Sequence, residues 1–183
     1  MAFNLTSKLT QRFLPPLLLL VFTISLAEAN TILKETRLVL YFQDFTAGPN
    51  ISNIAVAGIA GKEWSFTQFG TIYVTDDAMT QGPKLTSPVV GRAQGIKVAS
   101  ALNGRNTLVL VSLVFTNLKY NGSTLELQGN SKNFEPVREV AVVAGTGKFR
   151  FARGYATFET FFLDPATSYA VIRCNVTVQH YHL

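Results

Sequence analysis

Nine short runs rich in Val, Ile, Leu, Phe, Tyr and Thr, separated by Gly, Pro, Asn and Asp, occupy this chain from residue 36 to residue 180. They lie at 36–45, 54–60, 69–76, 89–99, 107–117, 123–129, 137–144, 148–161 and 169–180. The breaks are Gly48-Pro49-Asn50, Asp76-Asp77, Gly82-Pro83, Asn103-Gly104, Asn121-Gly122 and Asp164-Pro165. Branched and aromatic side chains fit a pleated surface, and the breakers adopt turn dihedrals that other residues avoid. Asn121-Gly122 predicts a two-residue hairpin. No long segment of 3.6-residue period lies outside the N-terminal stretch, so the expectation is an all-β barrel or sandwich. The run 108–115 is apolar on both faces. One face can fill an interior while the other meets a neighbouring subunit, and closure removes the sticky edges such strands would leave. Both points favour a barrel.

The first 29 residues read differently. Lys8 and Arg12 precede an apolar stretch at 14–27, and Ala27-Glu28-Ala29 fits the small-x-small cleavage pattern of a secretory signal. The stretch is short for a membrane span and is broken by Pro15 and Pro16. The expectation is a signal peptide at 1–29, no membrane anchor, and one domain at 30–183. Cleavage removes Lys8, Arg12 and Glu28, leaving 14 basic and 10 acidic residues, a net charge of +4. The cations are scattered rather than striped, which argues against nucleic acid and for loose attraction to acidic polysaccharide.

Cys174 is the single cysteine, so no internal disulfide can form. It sits in an apolar run and is expected to be buried and inert. His180 and His182, the two histidines, lie at the C-terminus and are poor candidates for its base. Three sequons follow the signal, at Asn50, Asn121 and Asn175. Asn50 and Asn121 stand in turns and are the better glycan acceptors; Asn175 lies within a strand run.

The stretch Gly145-Thr146-Gly147-Lys148-Phe149-Arg150-Phe151-Ala152-Arg153-Gly154-Tyr155 reads as a tight turn feeding a strand. At a period of two, Phe149, Phe151, Arg153 and Tyr155 would share a face. That face could grip a planar phenol by cation–π contact, or the Arg could simply reach to water over an aromatic strip. The Gly147-Lys148 pair is no phosphate loop: Val142 replaces its first Gly and Phe149 its Ser or Thr. Asp76-Asp77 has no third ligand at metal spacing and reads as a turn. No haem, copper or flavin pattern is present in the sequence, and the expectation is no metal and no cofactor.

Two charged residues end apolar rows. Leu38, Leu40, Phe42 and Asp44 share a strand face, as do Arg138, Val140 and Val142. If those faces line an interior, desolvation keeps the Asp44 proton on and lets it act as an acid, while a guanidinium orients a phenolic or carbonyl oxygen. If not, Asp44 merely opens a turn and Arg138 pairs with Glu135 or Glu139. The residues alone leave both readings open.

The 145–155 stretch, together with Val90-Gly91-Arg92-Ala93-Gln94-Gly95, Tyr41-Phe42-Gln43-Asp44 and Lys119-Tyr120-Asn121-Gly122-Ser123-Thr124-Leu125, resembles the plant dirigent proteins in order and spacing. The resemblance runs from about residue 38 to 181. It implies an eight-stranded antiparallel β-barrel assembled as a trimer, secreted to the apoplast. It implies a pocket with Asp44, Arg138 and Thr160 as its polar groups and Phe42 and Ile172 touching a small phenolic substrate. Members that form pinoresinol carry a further acid near 129–131, where this chain has Gly129-Asn130-Ser131, and tend to have a Tyr after the Gly-Arg-Ala-Gln-Gly motif, where it has Ile96-Lys97-Val98. In both respects the chain resembles the subgroup containing the pterocarpan synthases. The function implied is stereoselective guidance of phenoxy-radical coupling in lignan and phenylpropanoid synthesis, the radicals being made by a separate laccase or peroxidase. The alternative is an isoflavanol dehydratase, a hydro-lyase acting through a quinone methide. A third reading, passive binding of apolar ligands, would not need charges on apolar rows.

Overall fold

The computed structural model describes residues 33–181, so the expected signal segment and His182 lie outside the described residues. Nine strands follow one another: β1 (Leu33–Phe45), β2 (Asn53–Ala57), β3 (Ile72–Thr80), β4 (Val89–Ala99), β5 (Asn106–Phe115), β6 (Thr124–Lys132), β7 (Arg138–Gly145), β8 (Arg153–Asp164) and β9 (Tyr169–Tyr181). All pairings are antiparallel, in the order β1-β9-β8-β7-β6-β5-β4-β3. The seam closes where Tyr41, Phe42 and Gln43 of β1 meet Thr80, Met79 and Ala78 of β3. Eight strands therefore form a closed barrel. β2 lies outside the ring count and pairs with the first half of β3 from Asn53↔Thr75, so β1 and β2 share one edge of β3.

Alternation decides what fills the barrel. On β5, Thr107, Val109, Val111, Leu113 and Phe115 point inward and are buried, while Leu108, Leu110, Ser112 and Val114 are half-exposed outside. On β1 the inward row runs Thr36, Leu38, Leu40, Phe42, Asp44. Following it leads from a plugged end to an open one. At the plugged end, Phe149 packs on Phe115, Tyr120 and His180 at 5.5, 4.9 and 5.3 Å between ring centroids. There Thr36 Oγ1 and His180 Nε2 form a buried hydrogen bond of 3.0 Å. Met79, Leu113, Leu125, Leu127, Val176 and Val178 fill the space above the plug. Gly95 is inward on β4 because a Cβ there would collide with the Leu110 carbonyl. Only glycine permits that close approach of two backbones.

The outer face carries a row of aliphatic residues across four strands. Ile54, Val74, Ile96 and Leu110 stand opposite one another in register, and the first three are well exposed. Among the described residues no helix is long and apolar enough to cross a membrane.

Three sequence expectations need correction. The run 148–161 does not start as a strand: residues Gly147–Phe149 form a 3-10 turn and β8 begins at Arg153. Phe151 takes a left-handed φ of 61°, which breaks the two-residue alternation. Phe149, within that turn, is buried, and so leaves the face on which Phe151, Arg153 and Tyr155 remain exposed. Asn121-Gly122 sits in the longer 116–123 connection, with Gly122 at φ 75°. Asp76 and Asp77 are not a turn. They pair with Gln94 and Ala93 in the middle of β3.

Candidate functional site

The open half of the barrel encloses a cavity of about 500 Å³, within the range that takes a small organic ligand. Its walls between the polar groups are apolar: Phe42, Ala93, Val109, Val111, Phe158 and Ile172. Phe42 and Phe158 lie 6.0 Å apart, tilted. Phe66, Phe134, Leu163 and Tyr169 stand at the connections around the mouth.

One pole of the cavity is acidic. Asp44, from the end of β1, is 9% exposed, and Asp77, from β3, is 3% exposed. The Asn53 amide donates to both Asp44 oxygens at 3.2 and 3.1 Å. Lys97 Nζ, from β4, stands 3.7 Å from Asp44 Oδ2 and 5.9 Å from the centre of the Phe66 ring. Asp77 receives the Ser52 hydroxyl at 2.6 Å and the Thr75 hydroxyl at 2.9 Å. Ser52 Oγ is itself fixed by the backbone N–H of Phe45 at 3.1 Å. Burial pushes the Asp77 carboxyl up to about 6, with the Asp44 charge adding to the rise; Lys97 and the two hydroxyls oppose it. Two carboxylates in a dry wall cannot both ionise freely.

The opposite pole is cationic. Arg138 begins β7 and its Nη2 donates to Thr160 Oγ1 of β8 at 3.2 Å. Its Nε is buried without a partner, and burial lowers the guanidinium's proton affinity. Around the ring, β7 is three strands from β1 and four from β3. The two poles therefore face each other across the barrel. Neither Glu135 nor Glu139 takes Arg138 as an ion-pair partner; the ion pairs among the described residues are Arg37–Glu35, Arg92–Asp76, Lys97–Asp44 and Arg173–Glu159.

All five residues expected at a pocket, Phe42, Asp44, Arg138, Thr160 and Ile172, line this one cavity. Sequence reasoning missed Asp77, and with it Ser52, Asn53 and Thr75. The signal was present: Tyr73, Thr75, Asp77 and Met79 alternate onto one buried face. Lys97 was noticed only as part of the departing stretch Ile96-Lys97-Val98, and the alternation Ala93, Gly95, Lys97 brings it inward. Among the described residues no group of three or more His, Cys, Asp or Glu is placed to hold a metal ion.

The other singled-out residues lie elsewhere. Cys174 is fully buried on the inner face of β9, and burial pushes its thiol pKa up. His180, six residues along the strand, is about 20 Å away. Asn50 and Asn121 are exposed in connections, while Asn175 is half-buried within β9 and its amide lies 3.5 Å from Thr157 Oγ1.

Residues 35–179 match the family described as dirigent-like protein. Pterocarpan synthase 1 of Glycyrrhiza echinata is 40% identical over 149 residues, covering 81% of this chain and 79% of the relative. Dirigent protein 23 of Arabidopsis thaliana is 38% identical over 147 residues, covering 80% and 79%. A solved pterocarpan synthase dirigent protein superposes with a TM-score of 0.76 at 37% identity, over 82% of this chain and 87% of that one. A match spanning both ends of the barrel and every strand of its ring settles the family: this chain is a dirigent protein.

Proposed function

We propose that the cavity seats a phenolic alcohol between its two poles and directs its dehydration and ring closure, giving a product of one handedness. The carrying observation is a buried carboxyl pair facing, across apolar walls, a guanidinium that has no ion-pair partner among the described residues and whose Nε is unbonded. The names of the similar pterocarpan synthases supply a product class, a pterocarpan, and an isoflavanol is the substrate that the resemblance implies.

The chemistry follows from the charges. An acid of the Asp44–Asp77 pole gives its proton to the leaving hydroxyl, the C–O bond breaks, and water departs. Charge left on carbon spreads through the ring to a phenolic oxygen, which sheds its proton and becomes a quinone methide carbonyl. Arg138 donates hydrogen bonds to that oxygen, with Thr160 holding the guanidinium. A second phenolic hydroxyl of the substrate then adds to the carbon. Its proton returns to the carboxylate, and the carbonyl oxygen regains from solvent at the cavity mouth the proton that the phenol had released there. The sum is loss of one water, with the acid regenerated. The apolar walls fix which face is attacked. A preference of about 2–3 kcal/mol gives roughly 30- to 150-fold selectivity.

The cavity volume favours a second reading. It has room for two single-ring phenols as well as for one fused ring system. In that reading phenoxy radicals, made by a separate laccase or peroxidase, couple inside it with controlled geometry, and Arabidopsis relatives bearing only the dirigent name are of similar identity. Chiral chromatography distinguishes the two: isoflavanol without oxidant for dehydration, coniferyl alcohol with a one-electron oxidant for coupling.

Secretion to the apoplast, glycans on Asn50 or Asn121, and a trimer belong to the same proposal. The N-terminal pattern supports the first and the exposed turns the second. The row Ile54, Val74, Ile96 and Leu110 supports the third, since exposed aliphatic stripes of this kind are covered in stable assemblies.

A further inference from the structure

We propose that the transferable proton of this site is carried by Asp77 rather than Asp44, and that Lys97 is the positioning residue that keeps it there by holding Asp44 as its anion. The catalytic consequence rests on the dehydration reading above. The placement of the proton is a property of the free protein and is tested separately.

Which neighbours can accept a hydrogen bond decides where the proton sits. Every polar neighbour of Asp44 is a donor to it: the Asn53 amide N–H to both oxygens and the Lys97 ammonium. As these groups stand, a protonated Asp44 would meet only donors; the one acceptor beside it, Asn53 Oδ1, is buried without a partner and is reached only if the amide turns and withdraws its N–H from Asp44. Asp77 is surrounded differently. Ser52 and Thr75 are hydroxyls, able to donate or accept. Ser52 Oγ can take the Asp77 proton on its remaining lone pair while turning its own proton to the Gln43 carbonyl, 3.5 Å away. One proton shared by this pair therefore finds its partners in place on Asp77, whereas on Asp44 it would cost the Asn53 N–H bonds and set the proton beside the Lys97 ammonium. Burial of Asp77 acts in the same direction.

Few other charges face Asp77. β1 presents Asp44 and β4 presents Lys97, while β2 offers only the neutral Asn53. On β3 itself, Asp76 points outward to Arg92 and Tyr73 reaches the Trp64 carbonyl. Arg138 stands across the cavity and Tyr169 at its mouth. Of these, Lys97 alone sits within ion-pair distance of the pair. Removing it leaves Asp44 with the Asn53 amide alone, and raises the affinity of the whole pair for protons.

In the dehydration cycle Asp77 gives its proton to the leaving hydroxyl, becomes a carboxylate as water departs, and recovers a proton from the attacking hydroxyl. Asp44 stays anionic throughout, next to the carbon that becomes electron-poor.

The test is carboxyl NMR on the free protein labelled with ¹³C-carboxyl aspartate, titrated across pH 3 to 8. The wild type should show one aspartate with a midpoint near 6. Asp77→Asn should remove that resonance. Lys97→Met should move the midpoint upward, and Lys97→Arg should restore it; a lysine that only packs would leave it fixed in both. The proposal is overturned if the resonance near 6 survives Asp77→Asn and disappears in Asp44→Asn, or if Lys97→Met leaves the midpoint unchanged. Turnover supplies the chemical arm: Asp77→Asn should lose roughly 10²- to 10⁴-fold in isoflavanol dehydration. A wild type that does not dehydrate isoflavanol refutes the proposed function, and the NMR midpoints still decide where the proton sits.

Discussion

Replacing Asp77 with Asn should stabilise the barrel at neutral pH and leave it unchanged in acid. The folded carboxyl is raised from 3.8 to about 6. Below 3.8 it is protonated both folded and unfolded, so burial carries no charge penalty. Between 3.8 and 6 the unfolded chain releases the proton and the folded chain keeps it, so wild-type stability falls as pH rises through this window. Above 6 the folded state holds the buried anion and the loss is complete. Each tenfold difference in proton affinity between the folded and unfolded chain is worth about 1.4 kcal/mol, so the full loss is about 3 kcal/mol. Asn keeps the shape and can bond to both the Ser52 and Thr75 hydroxyls without titrating. Urea unfolding at pH 3 and pH 7.5, followed by far-UV circular dichroism, should give matching midpoints at pH 3. At pH 7.5 the variant should be more stable by about 2–3 kcal/mol, with similar m values. A variant that is less stable at pH 7.5, or shifted equally at both, would show instead that Asp77 is an ionised structural partner.

Arg138→Lys should keep the fold and weaken stereocontrol, since Lys holds the charge but loses the planar fork that meets an oxygen and Thr160 together; the enantiomeric ratio of product reports it. Phe149→Ala should lower stability by about 3–5 kcal/mol in denaturant titration, because the ring is fully buried among Phe115, Tyr120 and His180 at the plugged end. Leu110→Asp, in the outer aliphatic row, should leave the cavity intact and convert the proposed trimer to monomer; light scattering would show an unchanged mass if that row is not an interface.

The barrel was legible because its strands obey a period of two. The row 107–115 could hardly be read otherwise, and Phe42 with Asp44 followed on β1. Arg138 stood at the end of an apolar row with two readings open, and Thr160 was legible only through the resemblance. What joins them is the β7–β8 register, which sets Arg138 against Phe158 and so places Thr160 beyond it on the same inner face. Asp77 was misread for a physical reason. Two adjacent acids look like a turn because an isolated strand would not bury one. Here Ser52, 25 residues earlier, supplies a hydroxyl to Asp77, and Arg92, 16 residues later, takes Asp76 outside. Those partners arrive only when β1, β2 and β4 close around β3. Phe149 was misplaced by a similar local failure: it sits in the 3-10 turn Gly147–Phe149, ahead of the strand that begins at Arg153, so the two-residue period does not reach it.

If a buried acid pole and an opposing guanidinium direct dehydration of a phenolic alcohol, a single incubation decides it. A racemic isoflavanol is held with the purified protein and no oxidant across pH 5 to 8, and the products are separated by chiral chromatography. One enantiomer should be consumed, giving a ring-closed product of one handedness at a rate that falls about tenfold per pH unit above 6. Consumption of both enantiomers at the spontaneous rate, indifferent to the protein and to pH, would overturn the dehydration reading.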